Sequence, residues 1–74
     1  MRKAKLFDSV ALLDDLPDEK LWRGQVGAIV EIYNNGQAFE VEFVDKEGRT
    51  YGLLTLRPDQ LIILSHDAAG QIAA

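Results

Sequence analysis

Few residues of this 74-residue chain could carry chemistry, and their spacing argues against most of it. His66 is the only histidine, and it falls in a stretch that reads as a loose tail. Ser9 and Ser65 have no base near them, so no hydroxyl is set up as a nucleophile. Asp14, Asp15, Asp18 and Glu19 crowd one segment, but an EF-type calcium loop needs acids at alternate positions around a glycine. There is no cysteine to ligate a metal or form a disulfide. The pattern therefore predicts no catalytic residue, no metal site and no cofactor. An enzyme role would need a partner to complete the site.

The carboxylates in a more telling setting are Glu31, Glu40 and Glu42, which alternate with apolar residues. That alternation belongs to the stretch from Arg23 to Leu56, which reads as a three-strand antiparallel meander. Asn35-Gly36 between two alternating runs is a strong hairpin signal, because a type I′ turn needs φ > 0 at both central residues. Centring the turn there pairs Ile32 with Phe39, Val30 with Val41 and Ala28 with Phe43, all on one face. A slip of one residue would set them against Glu40 and Glu42, so one face being apolar fixes the register. A second turn at Glu47-Gly48 sets Phe43 opposite Gly52, Val41 opposite Leu54 and Phe39 opposite Leu56.

The opposite face then gathers Ile29, Glu31, Glu40, Glu42, Val44, Tyr51 and Leu53. On this register Glu31 lies against Glu40, Glu42 between Ile29 and Leu53, and Val44 against Tyr51. Like charges directly opposed on a sheet cost a few tenths of a kcal/mol. An apolar strip carrying three carboxylates suits a partner that surrounds an apolar centre with Lys or Arg. Trp22, at the start of the long strand, is a second candidate contact, or else a lid on the barrel end.

The rest of the chain frames this meander. Residues 1–5 read as a flexible basic arm and 65–74 as a flexible tail, leaving 6–64 as the folded domain. Leu6 to Asp14 reads as a first strand with Val10 and Leu12 on one face, followed by an acidic turn-rich loop. Pro58 ends the third meander strand, since proline cannot donate to a ladder, and Leu61 to Leu64 closes the sheet. Five short strands with one tight bend before the last predict an all-β, SH3-like barrel.

Net charge is −4. Residues 1–5 carry +3 (Arg2, Lys3, Lys5) and the tail −1 (Asp67), so Leu6 to Leu64 holds −6. An acidic body repels nucleic acid and anionic membrane surfaces and favours a basic partner. No apolar run is long enough for a helix to span a bilayer and no secretory leader pattern opens the sequence, which predicts a cytoplasmic location. The oligomeric state is not legible.

Three resemblances sharpen this reading. Ala11-Leu12-Leu13-Asp14-Asp15 and Pro58-Asp59-Gln60-Leu61 resemble the two hallmark segments of SH3 domains. Leu13, Asp15 and Leu61 stand where that family has aromatic groove residues, and no Trp opens the strand at Ala38. The resemblance thus implies the architecture without the proline-peptide groove. Gly24-x-x-Gly27-x-Ile29 is similar to the glycine pattern of KOW modules, which bind RNA and ribosomal or transcription partners. The loops that would carry the basic residues of such a module are Asn34-Asn35 and Asp14 to Glu19 here.

The broadest resemblance covers Leu6 to Leu64. Leu6-Phe7-Asp8-x-Val10-Ala11-Leu12-Leu13-x-Asp15-Leu16-Pro17, Arg23-Gly24-Gln25-Val26-Gly27-x-Ile29-Val30-Glu31, Phe39-Glu40-Val41-Glu42-Phe43 and Leu56-Arg57-Pro58-Asp59-Gln60-Leu61 together resemble the bacterial family domain of unknown function 4926. That resemblance implies a small cytoplasmic protein often encoded beside a second small protein, as antitoxins and immunity proteins are. The expectation is a non-enzymatic protein-binding module of inhibitor, antitoxin or immunity type. The alternatives are an accessory subunit of a larger enzyme assembly and a KOW-like nucleic-acid module.

Overall fold

The computed structural model describes residues 3–64. His66, Ser65 and the expected tail lie outside them, as do Met1 and Arg2 of the arm. Five strands form one antiparallel sheet: β1 (Ser9–Leu12), β2 (Val26–Tyr33), β3 (Ala38–Val44), β4 (Thr50–Leu56) and β5 (Leu61–Ile63). Their order across the sheet is β4-β3-β2-β1-β5, so β1, the first strand in sequence, lies between β2 and the last strand. Among the described residues there is no α-helix, only single 3-10 turns at Pro17–Glu19, Asn34–Gly36 and Pro58–Gln60. The architecture is the expected all-β, SH3-like one.

One core fills the coiled sheet. Val10 and Leu12 from β1, Ile29 from β2, Phe39, Val41 and Phe43 from β3, Leu56, Leu61 and the loop residue Leu21 are all buried. Alternate residues of β3 point into it, as a sheet with one buried face requires. Ala4 packs against the core edge. The Lys5 amide donates to Asp8 Oδ2 at 2.8 Å, while the Asp8 amide donates back to the Lys5 carbonyl at 3.1 Å. Phe7 within that turn has φ 70, which no strand residue adopts, so β1 begins at Ser9 rather than Leu6. It ends at Leu12, where its partner β5 gives way to the 3-10 turn Pro58–Gln60; the Leu13 amide still donates to the Gln60 carbonyl, 2.9 Å away.

The hairpin between β2 and β3 has the expected positive φ at Asn35 (58) and Gly36 (95), with Asn34 (49) joining them. The Gln37 amide bonds the carbonyls of Asn34 (3.3 Å) and Tyr33 (3.1 Å), and Ile32 pairs with Phe39. Beyond Glu31 the register departs from the expected one. A β-bulge at Val30 shifts the pairing, so Ile29 opposes Val41 and Ala28 opposes Glu42. Val30 is therefore not the residue facing Val41, nor Ala28 the one facing Phe43.

The physical reason lies one residue further back, at Gly27. The bulge turns Gly27 inward and bends β2 over β3, and an extra residue of this kind raises local twist. A Cβ at Gly27 would lie 2.8 Å from the Glu42 carbonyl oxygen and 2.9 Å from Phe43 Cδ2. Only glycine allows the backbones to approach that closely.

The β3–β4 register is the expected one from Phe39–Leu56 to Phe43–Gly52. The connecting turn is longer than expected. It runs from Asp45 to Arg49, with Gly48 in the left-handed region at φ 82. Asp45 Oδ1 accepts from the amides of Glu47 and Arg49, each at 2.9 Å. A second irregularity follows, so Val44 opposes Thr50 rather than Tyr51.

Candidate functional site

The outer face of β2–β3–β4 is built by the same alternation that fills the core. Glu31 pairs with Glu40, and Glu40 with Thr55 on β4. In the next outward row Ala28, Glu42 and Leu53 lie side by side, with Ser9 beyond Ala28 on β1. Ile29 is not part of this face. The Val30 bulge carries it inward, where it is fully buried. Its outward place beside Glu42 is taken by Ala28, and the exposed Val26 and Val44 extend the apolar strip.

A shallow groove of about 390 Å³ runs across three strands here, lined by Ser9, Val26, Gly27, Ala28, Glu42 and Val44. Glu42 is the one ionisable group in that lining, and its carboxylate accepts from Thr50 Oγ1. Glu40 accepts from Thr55 Oγ1 at 2.7 Å and, at 3.5 Å, from the Tyr33 hydroxyl. Part of the Glu31–Glu40 repulsion is thus offset inside the chain. The Tyr33 phenol titrates above its ordinary range, through desolvation first and then the negative charge of Glu40 and Glu31.

Trp22 and Tyr51 sit on a different corner. Gln25 links them: its Oε1 accepts from the Trp22 amide and its Nε2 donates to the Tyr51 hydroxyl at 3.1 Å. The Tyr51 ring leans on Phe43, centroids 6.3 Å apart. Trp22 is half exposed, and its neighbour Leu21 is the residue that seals the core at this end. Leu53, at 57 % exposure, is among the most exposed large apolar residues of the sheet.

Of the three residues standing at SH3 groove positions, Leu13 is exposed while the other two are engaged. Leu61 is buried, and Asp15 Oδ1 accepts the Arg23 amide at 2.8 Å, pinning the acidic loop. Among the described residues no group of three or more His, Cys, Asp or Glu could hold a metal ion. None of their helices is long and apolar enough to cross a membrane.

Val26 and Ala28 were missed in the sequence because the bulge could not be seen, whereas the outward face of Ser9 needed no bulge to be found. The signal was present in β1, whose inward Val10 and Leu12 require Ser9 and Ala11 to face out. With this geometry in place, the family model for Domain of unknown function (DUF4926) matches residues 6–63. The chain belongs to that family. Neither a curated protein nor a solved structure matches it. The DUF4926 match spans all five strands, from the turn before β1 to the end of β5.

Proposed function

We propose that this DUF4926 domain is a non-enzymatic, cytoplasmic protein-binding module that docks a basic partner on the outer face of β2–β3–β4. Its role is that of an inhibitor or immunity-type protein acting on the product of a neighbouring gene. One observation carries the reading: Glu42 sits inside an exposed apolar row, between Ala28 and Leu53, with Glu31 and Glu40 in the row beside it. Apolar surface around fixed carboxylates complements a Lys or Arg set among apolar side chains, and such complementarity sets partner choice.

The test is a titration of the purified neighbouring-gene protein against the parent domain and the Glu31→Lys/Glu40→Lys variant. We expect the double variant to bind more than about tenfold more weakly, exceeding the 0–1 kcal/mol of one exposed ion pair. Equal affinity would make the acidic face a solvated surface and move the site to Trp22 and the Asp14 to Glu19 loop. Stability is the control. Glu31→Gln should melt with the parent or slightly above it, by a few tenths of a kcal/mol. Glu40→Gln should gain less, because it weakens the bonds from Thr55 and Tyr33.

The same reading predicts no binding to duplex DNA or RNA at physiological salt, since a body of net −6 releases few counterions. Fluorescence anisotropy with labelled duplexes checks this. Micromolar binding that persists at about 0.2 M salt, where phosphate-driven contacts weaken steeply, would restore the KOW-like alternative.

A further inference from the structure

Within the outer face, Glu42 stands in an electrostatic setting of its own. Among the described residues every ion pair lies in a turn: Arg49 with Asp45 and Glu47, and Arg57 with Asp59. No described cation pairs with Glu42, although it is half-buried and flanked in its row by Ala28 and Leu53. A carboxylate with apolar neighbours gains more from a cation than one in open water, because the effective dielectric around it is lower. Its one side-chain bond among the described residues runs from Thr50 Oγ1 to Oε2. Thr50 belongs to β4, on the side of Glu42 away from Ala28. Oε1 is therefore the oxygen left to the groove.

On the reading of this face as the docking surface, on which this rests, we propose that the groove receives one lysine side chain of the partner protein. Its ammonium sits on Glu42 Oε1 and its stem lies along the apolar wall. Ser9 on β1, Ala28 on β2 and Glu42 on β3 lie in one row across the groove. Ala28 is the low floor between the other two, whose strands are two spacings or about 10 Å apart. Along the strands Val26 and Val44, both half exposed, continue that floor as aliphatic surface. A lysine buries its methylene stem on such a surface while its head reaches the acceptor.

Two features choose lysine over arginine. A guanidinium fork takes both oxygens of a carboxylate, and Thr50 already holds one of them. Arginine also gains from an aromatic face to stack on, and the residues lining the groove carry no ring. An ammonium is a compact point charge that needs one strong acceptor and fills its remaining donors from hydroxyls and water. Ser9 supplies the hydroxyl. Its Oγ makes no hydrogen bond among the described residues, so it is open to accept one.

Zero-length carbodiimide coupling of the full-length parent chain to the purified neighbouring-gene protein tests this and needs no variant to fold. The reagent condenses a carboxylate with a lysine amine touching it, with loss of water, and leaves a guanidinium unreacted. We expect peptide mapping to find Glu42 joined to one lysine of the partner. In titrations, Glu42→Gln and the groove-filling Ala28→Leu should each bind more than about tenfold more weakly while melting near the parent. Acetylating the partner's lysines, which removes their charge, should weaken binding in the same way. Coupling through Glu31 or Glu40 alone, or full affinity in Glu42→Gln, overturns the lysine site. The acidic face then still stands if Glu31→Lys/Glu40→Lys weakens binding. Affinity lost on modifying the partner's arginines but kept on acetylation gives the groove to an arginine and overturns the proposal. A parent that does not bind the neighbouring-gene protein, or a Glu31→Lys/Glu40→Lys variant that binds as the parent does, overturns both readings.

Discussion

Replacing Val41 by aspartate is expected to abolish cooperative thermal unfolding of this domain. Val41 has no exposed surface and stands between Ile29 and Leu54 at the centre of the five-stranded sheet. A carboxylate there has no partner, and burying one unpaired costs several kcal/mol even after its pKa shifts to keep it neutral. Small domains bury a modest fraction of their surface and sit low in the usual stability range of about 5–15 kcal/mol. The loss is therefore comparable with the whole stability of the fold. Val44→Asp on the same strand supplies the control. Val44 is half exposed on the outer side, so its substitution should change stability by less than about 0.5 kcal/mol. Melting curves followed by circular dichroism read both. A Val41→Asp variant with the parent's melting temperature would mean that β3 does not face the core with this parity.

Gly27→Ala is the second large effect, and it tests the bulge directly. The added methyl would stand 2.8 Å from the Glu42 carbonyl oxygen, 2.8 Å from Val41 Cγ1 and 2.9 Å from Phe43 Cδ2. A side chain could rotate away, but the carbonyl belongs to the backbone of β3 and is fixed by that strand's pairing with β4. Relief requires β2 to move off β3, so we expect a loss of about 1–3 kcal/mol, the usual range for overpacking. For a chain of this size, each kcal/mol lowers the melting temperature by about 4–8 °C. Gly52→Ala should cost less, because its nearest neighbour would be Phe43 Cδ1 at 3.4 Å, a ring edge with some freedom. If Gly27→Ala melts with the parent, β2 and β3 do not approach as closely as the bulge requires.

The two variants also bear on function. Gly27 and Glu42 both line the outer groove, and the close approach of β2 to β3 brings Val26 and Ala28 beside Glu42. A Gly27→Ala variant that folds should therefore weaken partner binding without any change in surface charge. The Glu31→Lys/Glu40→Lys variant changes charge while leaving the core intact. The two perturbations act on one proposed face through independent causes.

Much of this protein was determined by local sequence. Asn35-Gly36 fixed the first hairpin because few residues other than glycine and asparagine adopt φ > 0 readily. The strict apolar alternation of Phe39, Val41 and Phe43 fixed which side of β3 is buried, since a slip of one residue would bury Glu40 and Glu42. Pro58 ended β4 and Val10 with Leu12 faced β1 inward, each for reasons contained within a few residues. The DUF4926 pattern likewise lay in the sequence from Leu6 onward.

Only the tertiary structure decided the rest. Nothing near Val30 marks it as an extra residue. The bulge exists because a sheet that closes on one small core must bend, and Gly27 is where β2 can bend against Phe43. That single residue exchanged Ile29 for Val30 as the core contact of Val41, and put Ala28 and Val26 beside Glu42. Periodicity assigns faces only while the period holds. Each bulge resets it, and where the resets fall depends on strands distant in sequence.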